Sequence, residues 1–274
     1  MQIRLFFPWL LAACLVFAGC SGNDTARKQL EQARRLYENA QYGSAKQSID
    51  ELKAQYPKDF DLQKQLLQLM RAIEQKEQER NLAFCDSLLP VRQAEADAMK
   101  PLFVFEKTAY DSEGRYIAAS WNPGVESGFS GIKTGVTESN DLVLTAVYRS
   151  AAPVRFNRVK VSVPSGEYAE TLSIPFDGGA NYAFKDGNGA HYQIVTFQKG
   201  RDNGVIAFIY AYAKEKITME YAGGKNVPAR LLSQKEKDAL VRATDFAVLL
   251  REIAQLKEQK EKAEKRIEYL RTKQ

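Results

Sequence analysis

Apolar residues recur every three to four positions toward both ends of the chain and every second position in its middle. Leu62, Leu66, Leu69 and Ile73 form one stripe, which predicts a long helix over 58–100. The stripe lapses through Lys76 to Arg80 and resumes in a shifted phase at Leu82, Cys85 and Leu89. Pro90 predicts a kink or break, because its ring blocks the preceding turn. Near the carboxyl end Phe246, Leu249, Ile253, Leu256, Lys260, Ala263, Ile267 and Leu270 alternate three and four apart with no Gly or Pro. That is the seam of a coiled coil or a long helical hairpin over 233–273. Ser233 and Glu236 open it as a capping box, and Glu258 with Lys262 and Glu261 with Lys265 add favourable pairs four apart. Each long helix would reach roughly 60 Å at the α-helical rise. Their charged interruptions lie at comparable distances from the middle of the chain, so 233–273 is expected to pair with 58–100 as an antiparallel stalk. Pairing with a second copy of the chain is the alternative.

Between these helices the period changes to two. Leu142, Leu144, Ala146 and Tyr148 share one face of a strand, and Val159, Val161 and Val163 another, with Arg158, Lys160 and Ser162 outward. Val205 to Ala213 is apolar on both faces, which predicts a central strand with Ile217, Met219 and Tyr221 as its neighbour. Pro164 to Gly166, Asp186 to Gly189 and Lys199 to Gly204 carry turn chemistry. Of the 17 Gly, 14 fall between Pro101 and Arg230, as do nine of the 13 Tyr, so 101–230 is bounded as one β region. Short strands with no helix-period stretch between them favour an antiparallel sandwich. The fold class expected is α+β multidomain: a helical hairpin plus a long antiparallel coiled-coil-like stalk, with an inserted antiparallel β-sandwich.

The hairpin is 25–57. Ala33, Tyr37, Tyr42, Ala45, Ile49, Leu52 and Pro57 fall where a tetratricopeptide repeat places its small, aromatic and breaking residues, so this segment resembles one such repeat. A generic helical hairpin fits the same residues. A lone repeat cannot bury its own face and must pack on something else.

The amino terminus has one charge, Arg4, then an apolar stretch from Leu5 to Phe17, then Ala18 and Gly19 before Cys20. The stretch has the length of a signal h-region. Phe17-Ala18-Gly19-Cys20 resembles the lipobox of bacterial lipoproteins, with Phe17 where Leu is usual. The resemblance implies removal of 1–19, lipidation of Cys20, and 20–24 as a flexible tether. With Cys14 removed and Cys20 acylated, Cys85 is the one free thiol, read as a small buried hydrophobe. The whole pattern resembles envelope lipoproteins of the Bacteroidota, which implies an outer-membrane location. One acidic residue in the five after Cys20 favours the periplasmic face over the cell surface.

Net charge is +5, and +4 once Arg4 leaves with the signal. It is spread rather than clustered, so no nucleic acid is expected as partner. The single His, His191, excludes chemistry that needs two imidazoles, and no fixed-spacing Ser or Asp motif accompanies it. Gly128-Phe129-Ser130-Gly131 has its second Gly one place too early for a nucleophile elbow and reads as a loop. The turns at Asp177 and Asp186 lack the acidic ladder of a calcium loop. No cofactor or metal is expected, and no enzyme. Trp121, with Tyr110 and Tyr116, is the candidate contact for a ligand or partner, or a plug at one end of the sandwich. These readings give a lipid-anchored scaffold or binding module with an envelope protein as partner. A carbohydrate-binding surface lipoprotein is the alternative, and a hydrolase using His191 a third.

Overall fold

The computed structural model describes residues 21–107, 113–124, 128–224 and 229–273. The predicted signal segment 1–19 and Cys20 lie outside the described residues, as does Tyr110. The chain is a mixed α+β protein. Helices α1 (Ser21–Glu38), α2 (Tyr42–Gln55) and α3 (Phe60–Met99) come first. Strands β1 (Phe103–Glu106), β2 (Arg115–Ala118), β3 (Gly131–Thr137), β4 (Leu142–Ser150), β5 (Arg158–Ser162), β6 (Tyr168–Glu170), β7 (Asn181–Lys185) and β8 (His191–Phe197) follow. A short helix α4 (Val205–Ala211), strands β9 (Thr218–Ala222) and β10 (Arg230–Leu231), and helix α5 (Gln234–Arg271) complete it. The chain divides into two compact units, one running to Asp86 and taking in Gln259 onward, the other Ser87–Glu258. Helices α3 and α5 supply residues to both.

In the first unit Ala33 and Ala45 are fully buried, and their small side chains let α1 and α2 approach closely. The stripe Leu62, Leu66, Leu69 and Ile73 packs into the same cluster as Ala26, Leu30, Ile49 and Leu52. The sequence sets this stripe against the carboxyl-terminal helix; in this unit it packs on α1 and α2. A two-helix repeat needs a third apolar face, and the adjoining half of α3 supplies it. Lys46 and Glu77 form an ion pair that ties α2 to α3. Helix α5 meets α3 here through other residues: Lys260 pairs with Asp86, Arg266 with Glu74, and Arg71 Nη1 donates to the Lys273 carbonyl. The partners ascend α3 as they descend α5, so the two helices are antiparallel in this unit. Ala263, Ile267 and Leu270 of the predicted seam are buried.

In the second unit the strands form two antiparallel sheets, β1-β2-β3-β4-β8-β7 and β10-β9-β5-β6. One buried cluster takes Ile132, Leu144, Ala146, Val195 and Phe197 from the larger sheet and Val159, Val161, Met219 and Tyr221 from the smaller. Within each strand these residues are two apart, as the alternation predicts. The Tyr221 hydroxyl donates to the Val147 carbonyl at 2.8 Å, and burial pushes its pKa up.

Val205 to Ala211 is helix, not the central strand its composition suggests. Val205, Ile206 and Ile209 are buried in the core of the sheets, while Ala207, Tyr210 and Ala211 are exposed. A seven-residue apolar run cannot distinguish the two periods. Lys199, Gly200, Asn203 and Gly204 all take positive φ, which turns the chain abruptly into a helical start at Gly204 and leaves no extended entry. The expectation that no helix lies between the strands fails with it.

A second cluster of the same unit sets Ala239, Ala243, Phe246, Leu249 and Ile253 of α5 against Phe103, Ala118 and Val136 of the larger sheet and Ala96 of α3. Phe246 stacks on Phe103 at 4.5 Å. Arg92 and Glu252 pair at 3.1 Å. Helix α3 runs unbroken through Pro90, where the sequence predicts a kink or break. Leu89 and Met99 pack with Ala96 against α5 on either side of the exposed Pro90. That burial outweighs a ring whose cost is about 3 kcal/mol.

Ser233 and Glu236 form the predicted capping box: the Ser233 amide donates to Oε2 at 2.8 Å and the Glu236 amide to Ser233 Oγ at 3.3 Å. The same carboxylate does more. Oε1 accepts the Ile132 amide at 3.0 Å, and Arg230 donates Nη1 and Nη2 to its two oxygens. The Glu236 side chain is 0% exposed. Burial pushes its pKa up, but Arg230 and the amides of Ser233 and Ile132 outweigh burial and hold the carboxyl below the usual glutamate range.

Candidate binding site

The residues singled out from sequence are placed as follows. Trp121 ends a short 3-10 turn after β2, half-buried, and its Nε1 donates to the Ile132 carbonyl at 2.9 Å. Its ring meets Phe129 edge-on at 6.1 Å. Tyr116 lies on β2 between Phe105, at 5.0 Å, and the edge of Phe246, at 5.8 Å. Trp121 and Tyr116 pack against the same buried cluster around Phe246. Ser130 Oγ accepts the Arg149 amide at 2.9 Å, so this hydroxyl positions the neighbouring strand. Cys85 is buried and unbonded.

The two acidic turns spend their carboxylates on main-chain amides. Asp177 Oδ1 accepts Gly179 and Asn181, and those amides hold its pKa low; Asp186 Oδ1 accepts Asn188 and Ala190. Among the described residues no group of three or more His, Cys, Asp or Glu could hold a metal ion, and no helix is long and apolar enough to cross a membrane.

Two features near the β7–β8 hairpin were not singled out in the sequence. The first is an aromatic row. The register sets Phe184 opposite Tyr192 and Tyr192 opposite Arg149. Phe184 stacks on Tyr192 at 5.2 Å with planes 6° apart, and Tyr182 continues the row at 6.4 Å. Arg149 closes the other end, its Nε donating to Tyr192 Oη at 3.0 Å. Phe129 packs beside Tyr192 with Val147 and Ile194, which brings the row up to Trp121. Tyr182 and Phe184 are exposed on edge strand β7. Two aromatics two apart, a four-residue Asp-Gly-Asn-Gly turn and an aromatic just beyond it were the legible signal.

The second is a cavity of about 190 Å³ at the end of the hairpin, bordered by Pro153, Val154, Phe184, Lys185, His191 and Gln193. His191 begins β8, directly between Ser150 and Lys185 in the register. Ser150 Oγ donates to the Ala152 carbonyl at 2.6 Å and is not aimed at the imidazole. Gln193 is buried and fixed: it accepts the Phe156 amide and donates to the Phe156 carbonyl and to Asn181 Oδ1. Asn181 in turn donates to the carbonyls of Phe156 and Ile174. This network makes one wall of the cavity rigid.

The chain matches no protein-family model, and no curated protein or solved structure matches it.

Proposed function

We propose that the chain is a non-catalytic, lipid-anchored scaffold of the bacterial outer membrane, facing the periplasm. In this reading Cys20 carries the lipid, and the paired long helices form a coiled-coil-like stalk. The two sheets are a β-sandwich that offers its aromatic row to another envelope protein. The observation that carries the reading is the exposure of Tyr182 and Phe184 on an edge strand, stacked in line onto Tyr192. Aromatic side chains held rigid at low entropic cost are the anchors that protein interfaces favour. Ion pairs between α3 and α5, two in antiparallel order in the first unit and Arg92–Glu252 in the second, support the stalk.

Cys20→Ala is expected to release the protein from membranes that retain the parent chain; retention of Cys20→Ala would refute the anchor. A photo-crosslinker at position 182 in intact envelopes is expected to capture one defined protein, with capture lost in Phe184→Ala. Equal capture from that variant would refute the contact surface. For the stalk, Arg92→Cys with Glu252→Cys in a Cys85→Ala background should be joined within one chain by a short bismaleimide crosslinker, whereas crosslinked dimers would favour pairing between copies.

A second reading, a carbohydrate-binding surface lipoprotein, draws support from the half-buried Trp121 beside Phe129. Trp121 is the only Trp beyond the predicted signal. Saturable change in its fluorescence with glycans, together with protease access on intact cells, would favour it.

A further inference from the structure

The cavity at the end of the β7–β8 hairpin has a chemistry that the scaffold reading does not use. The register places two basic side chains, His191 and Lys185, directly opposite each other across adjacent strands. Both border the cavity. Among the described residues neither side chain has a hydrogen-bond or ion-pair partner. Asp186, the acid next along the turn, has given one oxygen to the amides of Asn188 and Ala190. Two basic side chains on one face of the hairpin, both bordering one hollow, are complementary to an oxyanion. Pro153 and Val154 add an apolar side, and Ser150 and the main-chain-bonded Gln193 border the hollow as well.

Size limits the ligand. At about 190 Å³ the hollow is smaller than the roughly 300–1,000 Å³ of sites that take drug-sized molecules. The wall behind it cannot yield readily, because Gln193 and Asn181 are locked to the main chain of Phe156. A small molecule with one anionic head and a short flat body therefore fits best.

We propose that this cavity binds a small oxyanion, carboxylate or phosphate, with His191 and Lys185 as donors and Pro153 and Val154 as the apolar wall. The inference stands whether or not the chain is lipid-anchored.

His191 is the only His in the chain, so one imidazole signal reports the site without assignment. The experiment follows the imidazole carbon-proton resonance of the full chain, labelled with carbon-13 histidine, at fixed pH and ionic strength. The titrants are sodium benzoate, sodium phosphate and, as the neutral control, benzyl alcohol. A saturable shift with benzoate and phosphate, and none with benzyl alcohol, is expected. Lys185→Gln, an exposed change that leaves the fold intact, should raise the Kd about fivefold or more. A shift with benzoate alone supports a carboxylate head that needs the apolar wall, and a shift with phosphate alone supports a phosphate source. Unsaturable shifts from both anions, an equal shift from benzyl alcohol, or an unchanged Kd in Lys185→Gln would overturn the proposal.

Discussion

Glu236 accepts the main-chain amide of Ile132 at 3.0 Å, joining the start of α5 to β3 across 104 positions of sequence. The same carboxylate caps its helix and holds Arg230, so its removal strands an amide and a guanidinium together. Glu236→Ala is expected to cost about 3–5 kcal/mol, the range for breaking a buried pair from one side. Urea unfolding measures it; a loss near that of a surface substitution would show that the network does not bear on stability.

The same group sets an acid dependence. Its carboxyl lies below the usual range in the folded chain, so the stability it contributes is present above the ordinary glutamate pKa of about 4.3 and is lost as pH falls through the lowered value. Urea midpoints should drop over that acid window in the parent chain, and the drop should be shallower in Glu236→Gln. Identical pH profiles would refute the assignment.

Gly131 and Gly135 lie in the same strand and should respond differently to a methyl group. A Cβ at Gly131 would meet Glu236 Oε1 at 2.2 Å and Arg230 Nη1 at 2.8 Å, whereas at Gly135 the nearest atoms stand at 3.5 Å. Gly131→Ala should lose about 1–3 kcal/mol by overpacking, and Gly135→Ala less than 1 kcal/mol. Thermal melts of the two variants side by side test the difference.

Helix α3 passes through Pro90 without interruption. Replacing Pro90 with Ala restores a main-chain donor and removes the ring clash, so Pro90→Ala should stabilise by about 1–3 kcal/mol. An unchanged melting temperature would mean that the helix gains nothing there.

Gln193 holds both main-chain groups of Phe156 and the Asn181 side chain. Gln193→Leu keeps the volume but orphans these partners, and should cost about 2–4 kcal/mol. Combined with Asn181→Ala the losses should fall short of additive, because the two residues share a network. Denaturant midpoints of the two single variants and the double variant check this.

What the sequence made legible were features whose cause is local. The seam from Phe246 to Leu270 is buried at every apolar position, and the Ser233–Glu236 box closes as its spacing predicts. Val159, Val161 and Val163 face the core of the sheets. Features decided by distant partners were not legible. The stripe on α3 has the same period whichever helix covers it, so its packing on α1 and α2 could not be read from spacing alone. Val205 to Ala211 is too short for its period to be unique, and the turn before it settled the outcome. The candidate site followed the same division. Trp121 was visible by its chemistry, whereas the Tyr182–Phe184–Tyr192 row and the His191–Lys185 pair exist only once a register is fixed.

Within Ser87–Glu258 a single helix serves two interiors: Leu240 belongs to the cluster that both sheets share, and Ala243 and Phe246 to the cluster with Phe103, Ala118 and Val136. The strands thus have no natural edge at Arg230. A fragment trimmed to the strands alone would lose a wall from one hydrophobic interior and most of the other, so any excised piece for biophysical work must carry the opening turns of α5 along with it.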